Sequence, residues 1–525
     1  MKSFKILVFA AILLIAGGCK KKFEDYIVNP NQPTSVPPSL LLRGVLNSLP
    51  VYPDGDAERW SQFTCRNYTY YGNNEYWSGS ADMDYGVLNN IVAMEAEAKK
   101  SSGSDVNPYA ALGKFLRAYF FVNMTLKFGD IPMTDALKGL ENQKPKYDAQ
   151  KQVFIQSLQL LEEANTMLTT LISKADVSLQ GDFYFQERTN GAETPLNALK
   201  KWQKVVNTFK LRVLIHLSKK DTDPDLKVKQ LFSDVVTNTT KYPVMTSAAD
   251  NLEFAYNATT NQYPNNAANF GFDALRLNMA ATWLNTLSSM NDLRAMRVAE
   301  PARGLGFADT DFRSFIGASS GEDLSNMAAK VQLGKYSLYN RKRYYNGFTG
   351  ENTFIVSYQE MCFNIAEAIN RGWVTGNAET WYQTGLWASM AFYGIVDGDN
   401  TVTFLKPNAL LGDYVNYTVN FNFNTFYNQA SVKYAGNNTT GLNQILVQKY
   451  LSFARNSGLE AYYQWRRTGQ PVFLTGPGTG NSNVIPLRFQ YPSSERSTNT
   501  ENLTSSLQSQ YAGNDNINAK MWILN

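Results

Sequence analysis

The chain has 525 residues, 44% hydrophobic and 18% charged, which suits one large globular domain or two ordinary ones and excludes wholesale disorder. Its net charge is only +4 and its one basic block is Lys20–Lys22, so nucleic acid is not an expected partner. Cys19, Cys65 and Cys362 are too few and too scattered for a disulfide framework or a zinc site, and the single histidine, His216, rules out His-pair metal sites.

The N-terminus reads MKSFKILVFAAILLIAGGC. Lys2 and Lys5 form a positive start, and Ile6–Ala16 form a short apolar core. A membrane-spanning helix needs about 20 apolar residues, so residues 1–18 read as a secretory signal peptide. Ala16, Gly17 and Gly18 lead directly into Cys19, as in a bacterial lipobox, although Ala16 stands where Leu is usual. Cys19 is therefore the expected lipidation site, with acyl chains (palmitate among them) as the anchor. Residues 19–50 are expected to form the lipid anchor and an extended tether, because NPNQPTSVPP disfavours helix. Residues 51–525 are expected to form a single helical domain.

Several windows of that domain carry apolar residues at helical spacing. Leu112, Phe115, Leu116 and Tyr119 begin one stripe; Val153, Leu160, Leu161, Leu168 and Leu171 mark a second. Leu199, Trp202, Val206, Phe209 and Val213 form a third, with Thr194 placed as its cap and Pro195 preset for its first turn. Tyr358, Met361, Cys362 and Ile365 form a fourth; Trp381, Gly385, Ala388 and Phe392 a fifth; Leu442, Ile445, Leu446 and Tyr450 a sixth. The fourth and fifth are separated by Gly372 and Gly376, which predicts a helix pair of tetratricopeptide-like form. The predicted fold class is therefore mostly α: helix pairs with minor short strands and long polar loops at 54–86, 238–272, 303–350 and 397–441. Long loops on a rigid scaffold are where binding sits.

A series of blocks, in order along the chain, gives the sequence a wider resemblance. NPNQPTS (29–35) follows the anchor, and GKFLRAYFFVNMTLKFGDIPMTDAL (113–137) carries an LRAY helix and an FGDIP turn. KWQKVVNTFKLRVLIHL (201–217), LSSMNDLRAMRVAEP (287–301) and the helix pair at 358–390 come next. QKYLSFARNSGLEAYYQWRRTGQPVF (448–473) leads to IPLRFQYPSSERSTNTEN (485–502). Together with the lipobox, these blocks resemble the SusD/RagB family of nutrient-binding outer membrane lipoproteins. The resemblance implies a SusD-like helical scaffold on the outer membrane, facing the cell exterior and closing a SusC-like TonB-dependent transporter. It implies capture of a glycan or peptide and no catalysis.

The binding residues are expected on loops, because a sugar site needs flat aromatic faces beside amide or charged groups. NYTYYGNNEYWSG (67–79) offers Tyr68, Tyr70, Tyr71, Tyr76 and Trp77 with Asn73 and Asn74. KYSLYNRKRYYNGF (335–348) offers Tyr339, Arg341, Tyr344, Tyr345 and Asn346. Each set also fits an aromatic cluster packed inside the fold. Arg466 and Arg467 read as internal ion-pair residues, with Glu495 the expected partner, and His216 and Cys362 as packed residues. No catalytic residue, metal ligand or cofactor is expected; a structural calcium ion is not predicted, since DGDN (397–400) lacks the later ligands and closing Glu of a calcium loop. The competing readings are a peptide- or protein-capturing lid, a glycoside hydrolase using two carboxylates about 5–10 Å apart, and a surface protein with no small ligand.

Overall fold

The computed structural model describes residues 35–53, 55–175, 177–188 and 192–525. The signal peptide, Cys19 and the tether up to residue 34 lie outside the described residues.

Several of the long helices begin where the sequence offers a cap. The helices that frame the scaffold include α1 (Pro38–Leu46), α2 (Tyr85–Ser102), α3 (Pro108–Phe128), α4 (Gln150–Lys174) and α5 (Pro195–His216). They continue with α6 (Tyr358–Asn370), α7 (Ala378–Phe392), α8 (Thr439–Ser452) and α9 (Glu460–Thr468). Asn107 caps α3 by accepting from the Ala110 amide at 2.9 Å. Thr194, Asn377 and Asn438 do the same for α5, α7 and α8, and Pro108 and Pro195 occupy the first helical positions. The predicted stripes face inward: Leu112, Phe115, Leu116, Val153, Leu161, Leu168, Trp202 and Val206 are all buried. The helices α2, α3, α4 and α5 pack in succession, and α6 packs on α5, α7 and α8.

The α6–α7 pair meets at Gly385. A Cβ there would come within 2.9 Å of the Phe363 ring, so the glycine sets how closely the two helices approach. Gly385→Val is expected to cost about 1–3 kcal/mol through overpacking, measurable as a lower denaturant midpoint with unchanged slope.

The sequence reading is corrected at several places, among them short helices at Asp56–Trp60 and Leu324–Gln332 inside predicted loops, and at two in particular. Residues 38–46 form α1 and not an extended tether, because Pro38 sits at the first helical position and Leu42, Val45 and Leu46 then reach the core. The 397–441 stretch is not a plain loop: its strands Gly398–Leu405 and Tyr414–Phe421 pair antiparallel over eight residue pairs. Asp397 and Asp399 of the DGDN turn serve this hairpin, accepting from the Phe423 amide and the Asn420 side chain at 2.8 Å each. The other strands are short: Thr64–Arg66 pairs antiparallel with Leu277–Met279, and Leu252–Phe254 with Thr353–Val356. The architecture is mostly α with minor strands, as predicted.

A buried charge network ties α5, α6, α8 and α9 together. Arg212 donates to both Glu360 oxygens, at 2.7 Å from Nε, and lies 3.7 Å from Glu460. His216 is within 3.1 Å of the second Glu460 oxygen. Arg467 holds Glu367 in a two-pronged contact at 2.5 and 2.9 Å, and Arg371 adds a third at 2.9 Å. Lys449 donates to Asn364 at 2.5 Å, and burial pulls its ammonium down to about 8 against the pull of Glu367 and Glu360. Arg467 is thus the internal ion-pair residue predicted, but its partner is Glu367. Glu495 instead accepts from the Tyr147 hydroxyl at 2.6 Å, while Arg466 donates to the Leu487 carbonyl at 2.7 Å. His216 is the buried packing residue expected.

Candidate functional site: an exposed tyrosine platform

The segment after Arg66 is held open by backbone pins. The Asn74 side chain accepts from the Arg66 amide and donates to its carbonyl, both at 2.8 Å, which closes the loop on itself. The Arg66 guanidinium bonds the Tyr71 carbonyl. Thr69–Tyr71 form one tight helical turn, and Gly72 follows at φ +95°, a conformation that favours glycine. Asn73 is exposed at the tip, with its side chain accepting from the Glu75 amide at 3.2 Å.

This frame presents three tyrosines outward. Tyr70 is 83% exposed, Tyr68 is also exposed, and Tyr71 is half-buried. Their ring centres lie 5.4–6.4 Å apart. Residues 266–276 complete the surface. The Asn67 amide donates to the Arg276 carbonyl at 3.0 Å, and the Tyr71 hydroxyl to the Phe272 carbonyl at 3.0 Å. The Arg276 guanidinium lies 4.0 Å from the centre of the Tyr68 ring. Phe272 and Leu275 are both well exposed beside it. Large apolar groups gathered on a surface mark an interaction site more often than scattered ones do.

The rest of the first candidate loop turns inward. Trp77 is buried, stacked on Phe489 at 4.0 Å, and its Nε1 donates to the Arg488 carbonyl at 2.8 Å. Tyr76 is buried with its hydroxyl on the Trp60 carbonyl at 2.9 Å, and Asn74 is buried in the loop closure. These three residues hold the platform and are not part of its face.

The second candidate segment is also mostly internal. Tyr339 and Tyr344 are buried around the Arg455 guanidinium, 4.3 and 4.5 Å from their ring centres. Asn340 caps the short helix Arg341–Tyr345 by accepting from the Arg343 amide at 2.8 Å. Arg341 is buried and donates to the Tyr339 carbonyl at 2.9 Å. Tyr345 is buried edge-on against Phe270 at 5.5 Å, so it supports the 266–276 segment from behind. Of the five candidates in this segment only Asn346 is exposed, accepting from the Tyr414 hydroxyl at 3.1 Å. The second segment therefore backs the 266–276 stretch that borders the first. Sequence reasoning missed Phe272, Leu275 and Arg276; the apolar run FGFDAL (270–275) within a polar stretch was the available signal.

Two other observations bear on chemistry. A polar cleft of about 820 Å³ lies between Arg43, Glu187, Arg188, Glu253, Tyr256 and Asn257, with its charges already paired as Arg43–Glu187 and Arg188–Glu253. Cys65 and Cys362 are buried and free, and burial pushes each thiol up to about 12, so neither is a ready nucleophile. Among the described residues no helix is long and apolar enough to cross a membrane, and no cluster of three or more His, Cys, Asp or Glu could hold a metal ion.

The fold recurs in known proteins along nearly the whole chain. A SusD homologue from Bacteroides fragilis is 27% identical with a TM-score of 0.78, covering 93% of this chain and 100% of its own. A second from the same species is 28% identical with a TM-score of 0.75, covering 94% and 100%. A chitin-binding SusD homologue from Flavobacterium johnsoniae, at 18% identity, has the same fold with a TM-score of 0.68, covering 93% and 98%. No curated protein matches the chain. Residues 54–492 match the family model described as starch-binding associating with outer membrane, and the chain belongs to this SusD-like family.

Proposed function

We propose that the protein is a lipid-anchored nutrient-capture protein facing the cell exterior, which holds oligosaccharides on the Tyr68–Tyr70–Tyr71 surface and delivers them to a SusC-like TonB-dependent outer membrane transporter without chemical change. The observation that carries this reading is the tyrosine platform. The chain spends Asn74, Arg66 and Gly72 on holding Tyr68 and Tyr70 in solvent, where burial would otherwise be favourable. Sugar rings offer apolar C–H faces that lie flat on such rings, and Asn73 and Arg276 stand beside them for hydroxyl groups. The lipobox before Cys19 supplies the anchor: removal of residues 1–18 leaves Cys19 first in the mature chain, and residues 51–525 act as one binding body. No cofactor or calcium ion enters this reading.

Calorimetric titration tests it directly. The purified protein is expected to bind starch- or chitin-derived oligosaccharides saturably, to ignore unrelated peptides of similar length, and to release no reducing sugar on prolonged incubation. Saturable peptide binding with no sugar binding would move the assignment to a peptide-capturing lid. Newly released reducing ends would make the protein a hydrolase.

A further inference from the structure

The hairpin of Gly398–Leu405 and Tyr414–Phe421 has one edge covered and one edge open. Its hydrogen-bonding phase is fixed at the turn, where the Lys406 amide donates to the Asp413 carbonyl at 3.0 Å. With Phe404 opposite Val415 and Val402 opposite Tyr417, residues 415, 417, 419 and 421 exchange bonds with the first strand. The backbone groups of Tyr414, Asn416, Thr418 and Asn420 therefore point away from it. In the first strand the outward groups belong to residues 399, 401, 403 and 405, and side chains close most of that edge. Arg297 donates to the Thr401 carbonyl, Asn340 donates to the Thr403 carbonyl at 3.0 Å, and the Leu405 amide donates to Glu300 at 3.0 Å. Nothing similar closes the second strand: among the described residues, the amides and carbonyls of Tyr414, Asn416, Thr418 and Asn420 have no partner.

Folded proteins usually blunt a free edge with lysine, proline, a bulge or a very short strand, because an open edge recruits another strand. YVNYTVNF (414–421) has none of these devices: it carries no charge and no proline, and its register is unbroken over eight residues that mostly favour strands. Asn416, Thr418 and Asn420 are exposed on one face, while Val415, Tyr417 and Val419 are only half-buried on the other. One more strand along this edge would finish covering that apolar row.

The strand complements itself. Run antiparallel against the same strand of a second copy, its outward groups pair Tyr414 with Asn420 and Asn416 with Thr418, each pair occurring twice about a twofold axis. The same register sets Val415 opposite Val419, and Tyr417 opposite Tyr417 of the second copy, all on the half-buried face. Asp309, which accepts from the Tyr417 hydroxyl at 3.1 Å, is already paired with Arg303 at 2.9 Å, so no unbalanced charge comes to the axis. Because the edge of the first strand is covered, pairing stops at two copies and four strands and does not run on into a fibre.

We propose that two copies of the protein associate through the Tyr414–Phe421 edges, making one four-stranded antiparallel sheet across a twofold axis. Two eight-residue strands form an interface at the small end of the specific range, which begins at about 1,200 Å², so the dimer is expected to dissociate on dilution. It is independent of the tyrosine platform and stands whether or not that surface binds sugar.

Sedimentation equilibrium of the full mature protein tests this, and a monomer–dimer equilibrium is expected. Thr418→Pro removes an outward amide and no bond within the hairpin, and it is expected to weaken the dimer at least tenfold. Thr418→Lys, at an exposed position, places two like charges near the axis; it is expected to weaken the dimer similarly while the unfolding midpoint stays put. Cysteine cross-linking reads the register. Residue 417 faces its own copy in a pair without hydrogen bonds, with Cα atoms about 4.5 Å apart, which is within disulfide range. Tyr417→Cys is therefore expected to cross-link under mild oxidation, while Asn420→Cys, opposite Tyr414 of the second copy, is not. The native Cys65 and Cys362 are buried, and the unsubstituted protein serves as the control. The proposal is overturned if the protein is monomeric at every concentration, or if both Thr418 variants dimerise as the wild type does. A dimer in which Tyr417→Cys fails to cross-link would overturn it too.

Discussion

Replacing Tyr68 and Tyr70 together with alanine is expected to lower oligosaccharide affinity by about 30-fold or more, the loss of roughly 2 kcal/mol typical of an aromatic hot spot. Stability should barely move. Tyr70 is 83% exposed, and surface substitutions of this kind usually stay within about 0.5 kcal/mol. Calorimetry gives the affinity, and thermal unfolding gives the control. Trp77→Ala should behave in the opposite way. It removes a buried indole stacked on Phe489 and hydrogen-bonded to the Arg488 carbonyl, so it should cost about 3–5 kcal/mol of stability. If Tyr68 and Tyr70 could be removed without loss of binding, the platform would not be the sugar-binding surface.

The other large effect lies in the buried charge network. Arg467→Met is expected to destabilise the protein by about 3–5 kcal/mol, because it leaves Glu367 buried without its main partner. Glu367 is fully buried, and Arg371 alone would remain to hold it. The network also fixes an acid limit. Burial raises the Glu367 carboxyl, but Arg467 and Arg371 outweigh it and hold it well below the usual carboxylate range. Burial likewise opposes ionisation of Glu460, but Arg212 and His216 bring it to about 2. Both folded values lie below the unfolded one, near 4.5. The unfolded chain therefore takes up protons first on acidification. The stabilisation is complete above about pH 4.5 and is lost as pH falls through the folded values, about 2 for Glu460 and lower still for Glu367. Unfolding midpoints measured from pH 6 to 2 should fall over that window. Arg467→Met should lower the whole curve and shrink its acid slope; an unchanged slope would mean that Glu367 gains nothing from its partner.

The helical scaffold was legible because its signals are local. Thr194-Pro195 before an apolar stripe specifies where α5 begins, and Gly385 on α7 specifies a close neighbour. The hairpin at 398–421 was harder to see. TVTFL and YVNYTVNF alternate at period two, but the Asn and Thr residues among them carry the polarity of a loop. The first strand buries only alternate residues such as Val402 and Phe404, so its apolar signal is half that of a core strand. Helix α2 was missed for a related reason, since Leu88, Ile91, Met94 and Ala98 form a thin stripe beside a charged EAEAKK run.

The site was legible in part. The sequence singled out the loop that carries the exposed tyrosines, yet composition does not separate a ring in solvent from a ring in the core. Tyr70 and Trp77 stand seven positions apart in one aromatic cluster, and they ended on opposite sides of the surface. What divides them is long-range: Trp77 meets Phe489 and Arg488, more than 400 positions away, while nothing comparable covers Tyr70. The same holds for Arg467. Its chemistry as an ion-pair residue follows from its type, but its partner is chosen by the packing of α9 on α5 and α8, which leaves Glu367 within reach and Glu495 on Tyr147.

The most direct test of the central claim is a crystal structure of the protein with a bound oligosaccharide. The account predicts a sugar ring in van der Waals contact with Tyr70, a neighbouring ring over Tyr68 or against Phe272, and Trp77 and Tyr344 still buried and out of reach. A ligand seated instead in the cleft between Arg43 and Arg188, with the tyrosine surface bare, would contradict it.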